Sequence, residues 1–289
     1  MQYDNTIKRI FPVIFLVLLF TCMGLFAQSR VETSSWKGFQ RYDFKFQQRV
    51  ARLVLPDKPL PGNPWIWRAR FPDWHTEADS ILLSEGFHLA YIQTDKLFGS
   101  PKAVSIWDAF YQFLIGEYKL QKKVSLAGVS RGGLFVYNWA IKNPEKVACI
   151  YAEAPVCDFK SWPAGFGLSQ GSPEDWKKLK KEYGFNSDAE ARAYTKNPLD
   201  HLEKLAEEKV PVLHMVSLQD SIVPVEENTL PLINSYIALG GIATVVPCTG
   251  GEQNLQGHHF SIETPRLVAD FIKYHTLQHP ELSSSDFIQ

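Results

Sequence analysis

The pentapeptide Gly128-Val129-Ser130-Arg131-Gly132 constrains this chain more than any other feature. The run KVSLA before it has the pattern of a buried strand, and LFVYNWAIKN after it has the pattern of a helix. A sharp strand-to-helix turn exposes a serine hydroxyl but crowds the backbone, which explains the flanking glycines. The motif therefore predicts that Ser130 is a nucleophile; the alternative is a strand–turn–helix joint without chemistry.

Short apolar runs alternate with helical patterns along most of the chain. Strands are predicted over 42–55 (one or two strands), 65–69, 87–94, 123–128, 146–156, 210–217 and 242–247. This alternation predicts an α/β fold with a mainly parallel central sheet and helices on both faces. The alternation breaks over 158–208, which is rich in Trp, Gly, Lys and Glu and predicts a short helical cap insertion.

The acid and the base of such a serine are expected after it in the chain. Asp220 follows the strand over 210–217 and is predicted at its carboxyl end, where catalytic groups gather in open α/β sheets. Asp158, after the preceding strand, is the alternative acid. His258 is the predicted base because Gly257 lets the backbone turn, and His259 then packs or binds substrate; His259 is the alternative base. In this arrangement His258 takes the proton of Ser130 and Asp220 orients the ring.

The backbone N–H groups of Arg131 and Arg70 are the predicted oxyanion hole, because one follows the serine and the other follows the strand WIWRA. The side chains of Arg68, Arg70 and Arg131 are predicted at the rim of the site. Guanidinium groups there can bind a substrate carboxylate, although structural ion pairs explain them equally well. Trp162 begins the cap and is predicted either to stack on a sugar ring or to lie in the core.

The amino terminus has the pattern of a signal peptide over residues 1–27, which leaves 28–289 as the α/β domain. Lys8 and Arg9 precede the apolar run IFPVIFLVLLF, and Ala27 is the predicted cleavage residue. A transmembrane anchor is disfavoured because no basic stop-transfer cluster follows, and a lipoprotein anchor at Cys22 is disfavoured by its neighbours. We expect a secreted or periplasmic protein with no membrane span after cleavage.

Composition excludes some partners. The chain has 289 residues, is 45% hydrophobic and carries a formal net charge of -1, so no strong field attracts nucleic acid or anionic membranes. The cysteines have no metal-site spacing, and we expect neither a metal nor a cofactor. A disulfide between Cys157 and Cys248 is conceivable in an oxidising compartment.

The segments GVSRGG, LQDSIVP and GHH together resemble the α/β-hydrolase superfamily. The wider string from PWIWRARF to GHHFSIETP is similar to secreted bacterial carbohydrate esterases that act on pectin-type methyl esters. The resemblance implies a serine carboxylic-ester hydrolase whose partner is a small-molecule or carbohydrate ester, such as an esterified acidic polysaccharide. A serine peptidase of the same class is the alternative, and a non-catalytic binding protein on this scaffold is a further one.

Overall fold

The structure is a computed structural model that describes residues 31–278, and in that part of the chain a nine-stranded sheet forms the centre of the fold. The predicted signal peptide over 1–27 lies outside the described residues. The strands are β1 (Glu32–Trp36), β2 (Phe39–Phe46), β3 (Arg49–Leu55), β4 (Trp65–Arg68), β5 (His88–Ile92), β6 (Val124–Val129), β7 (Val147–Glu153), β8 (Val212–Val216) and β9 (Ala243–Pro247).

The sheet has the order β1-β2-β3-β5-β4-β6-β7-β8-β9. From β5 to β9 all neighbouring strands pair in parallel, whereas β1, β2, β3 and the β3–β5 pair are antiparallel. Every residue of β5, β6, β7 and β8 is buried, as expected for parallel strands covered on both faces. The predicted α/β class with a mainly parallel sheet is confirmed.

Helices cover both faces of this sheet. The helices of the described residues, including those of the cap, are α1 (Glu77–Ser84), α2 (Pro101–Glu117), α3 (Gly132–Lys142), α4 (Pro173–Tyr183), α5 (Asp188–Arg192), α6 (Glu203–Glu207), α7 (Thr229–Ala238) and α8 (Pro265–Leu277). Helices α2, α3, α6 and α7 contribute to one apolar cluster, which includes Trp107, Trp139 and Tyr236. Helices α1 and α8 contribute to the cluster on the opposite face, which includes Leu82 and Ile272.

The segment predicted as a cap, 158–208, lies between β7 and β8 and contains α4, α5 and α6. Its aromatic side chains form a third cluster, in which Phe159 and Trp176 pack with Phe98, Leu134 and Val223. Phe98 follows β5, Leu134 lies in the first turn of α3, and Val223 follows β8. The segment therefore packs over the carboxyl edge of the sheet, where Ser130 lies.

Strand β1 was absent from the sequence prediction. It reads ETSSW, lacks apolar alternation and is exposed except at Trp36, so its local sequence carries no strand signal. It forms because β2 offers an open antiparallel edge, to which all five residues of β1 pair. A small hairpin of β10 (Gln253–Asn254) and β11 (His259–Phe260) was also absent from the prediction.

The thiols of Cys149, Cys157 and Cys248 are buried and free. Cys157 belongs to the apolar cluster on the α2–α3 face, whereas Cys248 belongs to the cluster on the α1–α8 face. The sheet separates these two clusters, so a Cys157–Cys248 disulfide is not formed and that suggestion was wrong. Between residues 31 and 278, no helix combines the length and apolar character needed to cross a bilayer.

Candidate active site

Ser130 lies directly after β6, at the centre of the carboxyl edge of the sheet. Its φ of 54° is in the left-handed region, which is uncommon for a residue other than glycine and marks local strain. Its N–H donates to the carbonyl of Glu153 at 2.8 Å, and its carbonyl accepts from the N–H of Val156 at 2.9 Å. A Cβ on Gly133 would lie 2.6 Å from the Val156 carbonyl oxygen, so this tight turn requires glycine there.

The structure brings Ser130, His258 and Asp220 together. The imidazole Nε2 of His258 lies 2.9 Å from Ser130 Oγ, and its Nδ1 lies 2.7 Å from Asp220 Oδ2. With the carboxylate ionised, Nδ1–H donates to Asp220 and Nε2 is left as the acceptor for the serine hydroxyl. Gly257 has a φ of 81°, and a Cβ there would lie 2.5 Å from the Gln219 carbonyl, so glycine is required before the histidine.

Asp220 is held on a turn after β8 by the backbone. Its Oδ1 accepts hydrogen bonds from the N–H groups of Ile222 and Val223 at 2.9 and 2.8 Å. These two bonds orient the carboxylate, so that Oδ2 is left facing His258. The hairpin of β10 and β11 holds the other partner, because its turn ends at His258, whose N–H donates to the carbonyl of Leu255 at 3.0 Å.

Asp158, the alternative acid, is not in contact with His258. Its Oδ1 accepts from the backbone N–H of Lys160 at 2.8 Å, the arrangement of a residue that closes its own turn. Burial raises the pKa of Asp158 to about 6, against the ordinary value of 3.8. The structure therefore gives Asp158 a role in the turn before the cap.

The raised pKa of Asp158 predicts a pH-dependent stability. The unfolded chain ionises this carboxyl first, so the free energy of unfolding should fall as the pH rises from about 4 to about 6. Asp158→Asn keeps an oxygen that can accept from the N–H of Lys160 but cannot ionise. The substitution should therefore remove the decrease in the free energy of unfolding, which we expect to be on the order of 2 kcal/mol. Urea unfolding at pH 4.5 and pH 7 measures the difference, with exposed Asp57→Asn as the control. Equal pH dependence in Asp158→Asn and wild type would contradict it.

The predicted oxyanion donors lie on the two sides of the serine turn. Strand β4 stays paired with β6 up to Ala69, whose N–H donates to the Ala127 carbonyl at 2.9 Å. Within residues 31–278, the backbone N–H groups of Arg70 and Arg131 have no hydrogen-bond acceptor. A Cβ placed on Gly132 would lie 3.8 Å from the Cβ of Arg70, so the β4 loop runs beside the turn. Both N–H groups are thus placed near Ser130 and are unused.

Arg68 does not line the site, and its prediction as a substrate-binding residue was wrong. Its side chain is 2% exposed and is ion-paired with the buried carboxylate of Asp79 on α1. It also donates from Nη2 to the Trp74 carbonyl at 2.9 Å. A guanidinium that is buried and paired in this way is held by the fold and does not reach a substrate.

The guanidinium of Arg131 also has partners within the protein. Its Nη2 lies 2.8 Å from Asp175 Oδ2 on α4, and the group lies over the rings of Phe98 and Trp162. Trp162 itself is only 8% exposed and belongs to the third apolar cluster. The suggestion that Trp162 stacks on a sugar was therefore wrong, because Arg131 and the cap residues already cover its ring.

Arg70 differs from the other two arginines. It is half-buried, lies with its guanidinium 3.8 Å from the centre of the Phe71 ring, and forms no hydrogen bond or ion pair with any described residue. Burial and the nearby charge of Arg131 lower the pKa of Arg70 to about 10. Arg70 therefore remains a cation at pH 7 that lacks a bonded counter-ion.

A second histidine–carboxylate pair, missed by the sequence interpretation, lies beside the first. His75 Nδ1 is 2.7 Å from Oε1 of Glu153, the last residue of β7, and Trp74 Nε1 donates to the same oxygen at 3.2 Å. The ring of His259 lies 4.8 Å from that of Trp74. Glu153 is a polar residue at the end of an apolar strand, which is a signal that the sequence does contain. Its partners Trp74 and His75 follow β4, however, so the pairing itself could not be predicted. Among the described residues, no group of three or more His, Cys, Asp or Glu side chains is placed to bind a metal ion.

Comparisons with known proteins agree with this fold. The profile of the prolyl oligopeptidase family matches residues 108–237. The acylaminoacyl peptidase of Pyrococcus horikoshii is similar over 92% of this chain at 16% identity and a TM-score of 0.60, and the chain spans 44% of the peptidase. No curated protein gives a significant match.

Two esterases are similar over most of their own length. Acetyl xylan esterase 1 from a Thermoanaerobacterium species is 14% identical, with a TM-score of 0.58, over 86% of this chain and 88% of the esterase. A thermostable esterase from Pseudomonas putida is 17% identical, with a TM-score of 0.55, over 86% and 83% of the two chains. At these identities the likeness establishes the fold.

The chain has the α/β-hydrolase fold, and the prolyl oligopeptidase match covers its central part. The solved structures that share this fold include both peptidases and esterases.

Proposed function

We propose that this protein hydrolyses carboxylic esters of acidic sugars, of the kind found in pectin-type polysaccharides. The observation that carries the proposal is the bonded arrangement of Ser130, His258 and Asp220, with both histidine nitrogens at hydrogen-bond distance from their partners. Serine and histidine at this distance form an activated nucleophile, because the imidazole can accept the hydroxyl proton as the oxygen attacks.

In the first half of the reaction, Ser130 Oγ attacks the acyl carbon and its proton passes to His258 Nε2. The developing negative oxygen accepts hydrogen bonds from the N–H groups of Arg131 and Arg70, each of which contributes about 3 kcal/mol to barrier lowering. The ester C–O bond then breaks, and the alcohol leaves with the proton from His258. In the second half, a water molecule repeats the attack with the same base, and the acid product leaves Ser130 free.

The environment of Arg70 is the evidence that supports an acidic substrate. Among residues 31–278 this half-buried guanidinium has no hydrogen-bonded counter-ion; its neighbours are the Phe71 ring and the more distant charges of Asp95 and Asp175, so part of its lost hydration is not replaced. A substrate carboxylate would supply this partner through charge-assisted hydrogen bonds, which are stronger than neutral ones. Because the net charge of the chain is only -1, selectivity for an acid has to come from a local contact of this kind.

A serine peptidase is the second candidate, and the match of residues 108–237 to the prolyl oligopeptidase family favours it. The same three side chains can cleave an amide or an ester, so the residues that line the site determine which substrate is preferred. Esterase neighbours matched over 83–88% of their own length support the ester proposal. Parallel assays with p-nitrophenyl acetate and with aminoacyl anilides separate the candidates, and turnover of the anilides alone would favour the peptidase.

Arg70→Met is expected to impair hydrolysis of an acidic substrate selectively. It keeps the backbone N–H and an apolar stem but removes the cation, so kcat/KM for methyl-esterified oligogalacturonate should fall by about 10- to 100-fold, the value of a hydrogen bond to a charged group. The rate on an acetylated neutral sugar should fall much less. Arg266→Met, which removes an exposed cation on α8, is the matched control. Equal losses on both substrates would overturn the assignment of Arg70 to a substrate carboxylate.

A further inference from the structure

Trp74, His75, Glu153 and His259 form a cluster, called here the Trp74 cluster, whose members touch one another. The rings of Trp74 and His75 lie 4.5 Å apart, and the ring of His259 lies 4.8 Å from that of Trp74. Glu153 connects the first two, since its Oε1 accepts from Trp74 Nε1 and faces His75 Nδ1. The proposed reaction uses none of these contacts.

The Trp74 cluster adjoins the nucleophile. The carbonyl of Glu153 accepts the N–H of Ser130 at 2.8 Å, and the rings of His258 and His259 lie 5.7 Å apart. The loop that carries Trp74 and His75 leaves β4 and reaches the end of β7, so it passes the end of β6, which lies between them in the sheet. The cluster is therefore next to the position that a bound ester must occupy.

Glu153 is buried to 2% exposure, and in the described part of the chain the side chains of His75, Trp74 and Tyr151 bond its carboxylate. A carboxylate placed there needs partners that offset its lost hydration, and the structure supplies His75 and Trp74. His75 has a backbone φ of 46°, in the left-handed region that histidine and asparagine adopt more readily than most residues.

The bond to Glu153 determines which ring nitrogen of His75 is available to a ligand. Because Nδ1 donates to the carboxylate, Nε2 is the ring atom left for a ligand, and the side chain of His75 is 22% exposed. Burial and the neighbouring His258 lower the pKa of His259, so that ring is uncharged at pH 7. Trp74 and His259 are thus half-buried, neutral rings beside a polar nitrogen.

We propose that the Trp74 cluster is a sugar-binding subsite of the hydrolase, in which Trp74 and His259 contact the C–H face of a sugar ring and His75 Nε2 bonds one of its hydroxyls. Glu153 is a positioning residue that holds His75. Sugars combine an apolar face with hydroxyl edges, which this pairing of rings and a fixed imidazole matches. The inference rests on the proposed function, because it takes the substrate to be a carbohydrate ester.

Equilibrium binding tests the subsite separately from catalysis. In a Ser130→Ala background, calorimetric titration with methyl-esterified trigalacturonate measures Kd without turnover. Trp74→Leu and His75→Asn are each expected to raise Kd about 5- to 10-fold, which corresponds to the loss of one stacking contact or one hydrogen bond. Asparagine is chosen because it tolerates the left-handed backbone of His75. The matched control is His201→Asn at an exposed histidine, which should leave Kd unchanged.

Further variants separate binding from folding. Trp74→Phe keeps a ring and should bind within about 3-fold of the parent, unlike Trp74→Leu. Glu153→Gln keeps the shape of the side chain and should weaken binding only while His75 is present, so its effect should disappear in the double variant with His75→Asn. Unchanged Kd values in Trp74→Leu and His75→Asn would overturn the subsite. Absence of sugar binding by the parent, when wild type hydrolyses p-nitrophenyl acetate, would also overturn it. Binding that depends on the cluster in a protein inactive on every ester would support the subsite and reject the proposed function.

Discussion

Ser130→Ala is expected to lower kcat for ester hydrolysis by about 10⁶-fold, the loss seen when a nucleophile that acts with a histidine is removed. Only the hydroxyl that contacts His258 Nε2 disappears, and the left-handed backbone at 130 is equally demanding for serine and alanine. The fold should therefore survive, and the N–H groups proposed for the oxyanion stay in place. Residual activity should come from these donors and from binding alone.

Steady-state hydrolysis of p-nitrophenyl acetate and labelling with a fluorophosphonate measure this loss. Wild type should be labelled at Ser130, and the alanine variant should not be labelled. Ser105→Ala, at an exposed serine on α2, is the matched control and should be labelled as wild type is. A Ser130→Ala protein that keeps its labelling and its turnover would show that another residue is the nucleophile.

Asp220→Asn is expected to lower kcat by about 10⁴-fold with little change in folding. The asparagine Oδ1 can still accept from the N–H groups of Ile222 and Val223, which turns its amide NH₂ towards His258 Nδ1. The ring must then carry its proton on Nε2, the atom that has to accept the proton of Ser130. The substitution thus selects the wrong tautomer while it leaves the packing almost unchanged.

Asp158→Asn is the matched control for this prediction, because it makes the same chemical change at a carboxylate that has no contact with His258. It should retain the activity of wild type at pH 7. The reverse ranking, with Asp158→Asn inactive and Asp220→Asn active, would place the acid after β7 and contradict the geometry described above. A pH–rate profile of both variants gives the measurement.

The same fold serves esterases and peptidases, and the described geometry explains why the walls of the site carry the distinction. The serine, histidine and aspartate depend on short local segments at the ends of three strands. Two features beyond these three residues can distinguish substrates: the Arg70 guanidinium, which has no ion pair within residues 31–278, and the rings of Trp74 and His259. Under the proposed function these two features recognise an acid group and a sugar ring, and the experiments on them are therefore the ones that assign a substrate.

The sequence by itself determined the order of the buried strands, and it predicted Ser130, Asp220 and His258, which the structure brings into contact. These depend on local rules: apolar runs that form buried strands, and glycines that permit turns where a side chain would collide, as at Gly133 and Gly257. Parallel strands also place their carboxyl ends at one edge, so Asp220 and His258 could be expected near Ser130 from chain order alone.

Only the tertiary structure decided what the remaining polar residues do. Arg68 and Arg70 are two positions apart, yet Arg68 is paired with Asp79 inside the fold and Arg70 has no hydrogen bond or ion pair within residues 31–278. His75 meets Glu153 across 78 positions of sequence, and no local pattern records such a pairing. Whether a charged side chain is neutralised or left available depends on which distant group the packing brings to it, and that information is distributed over the whole chain.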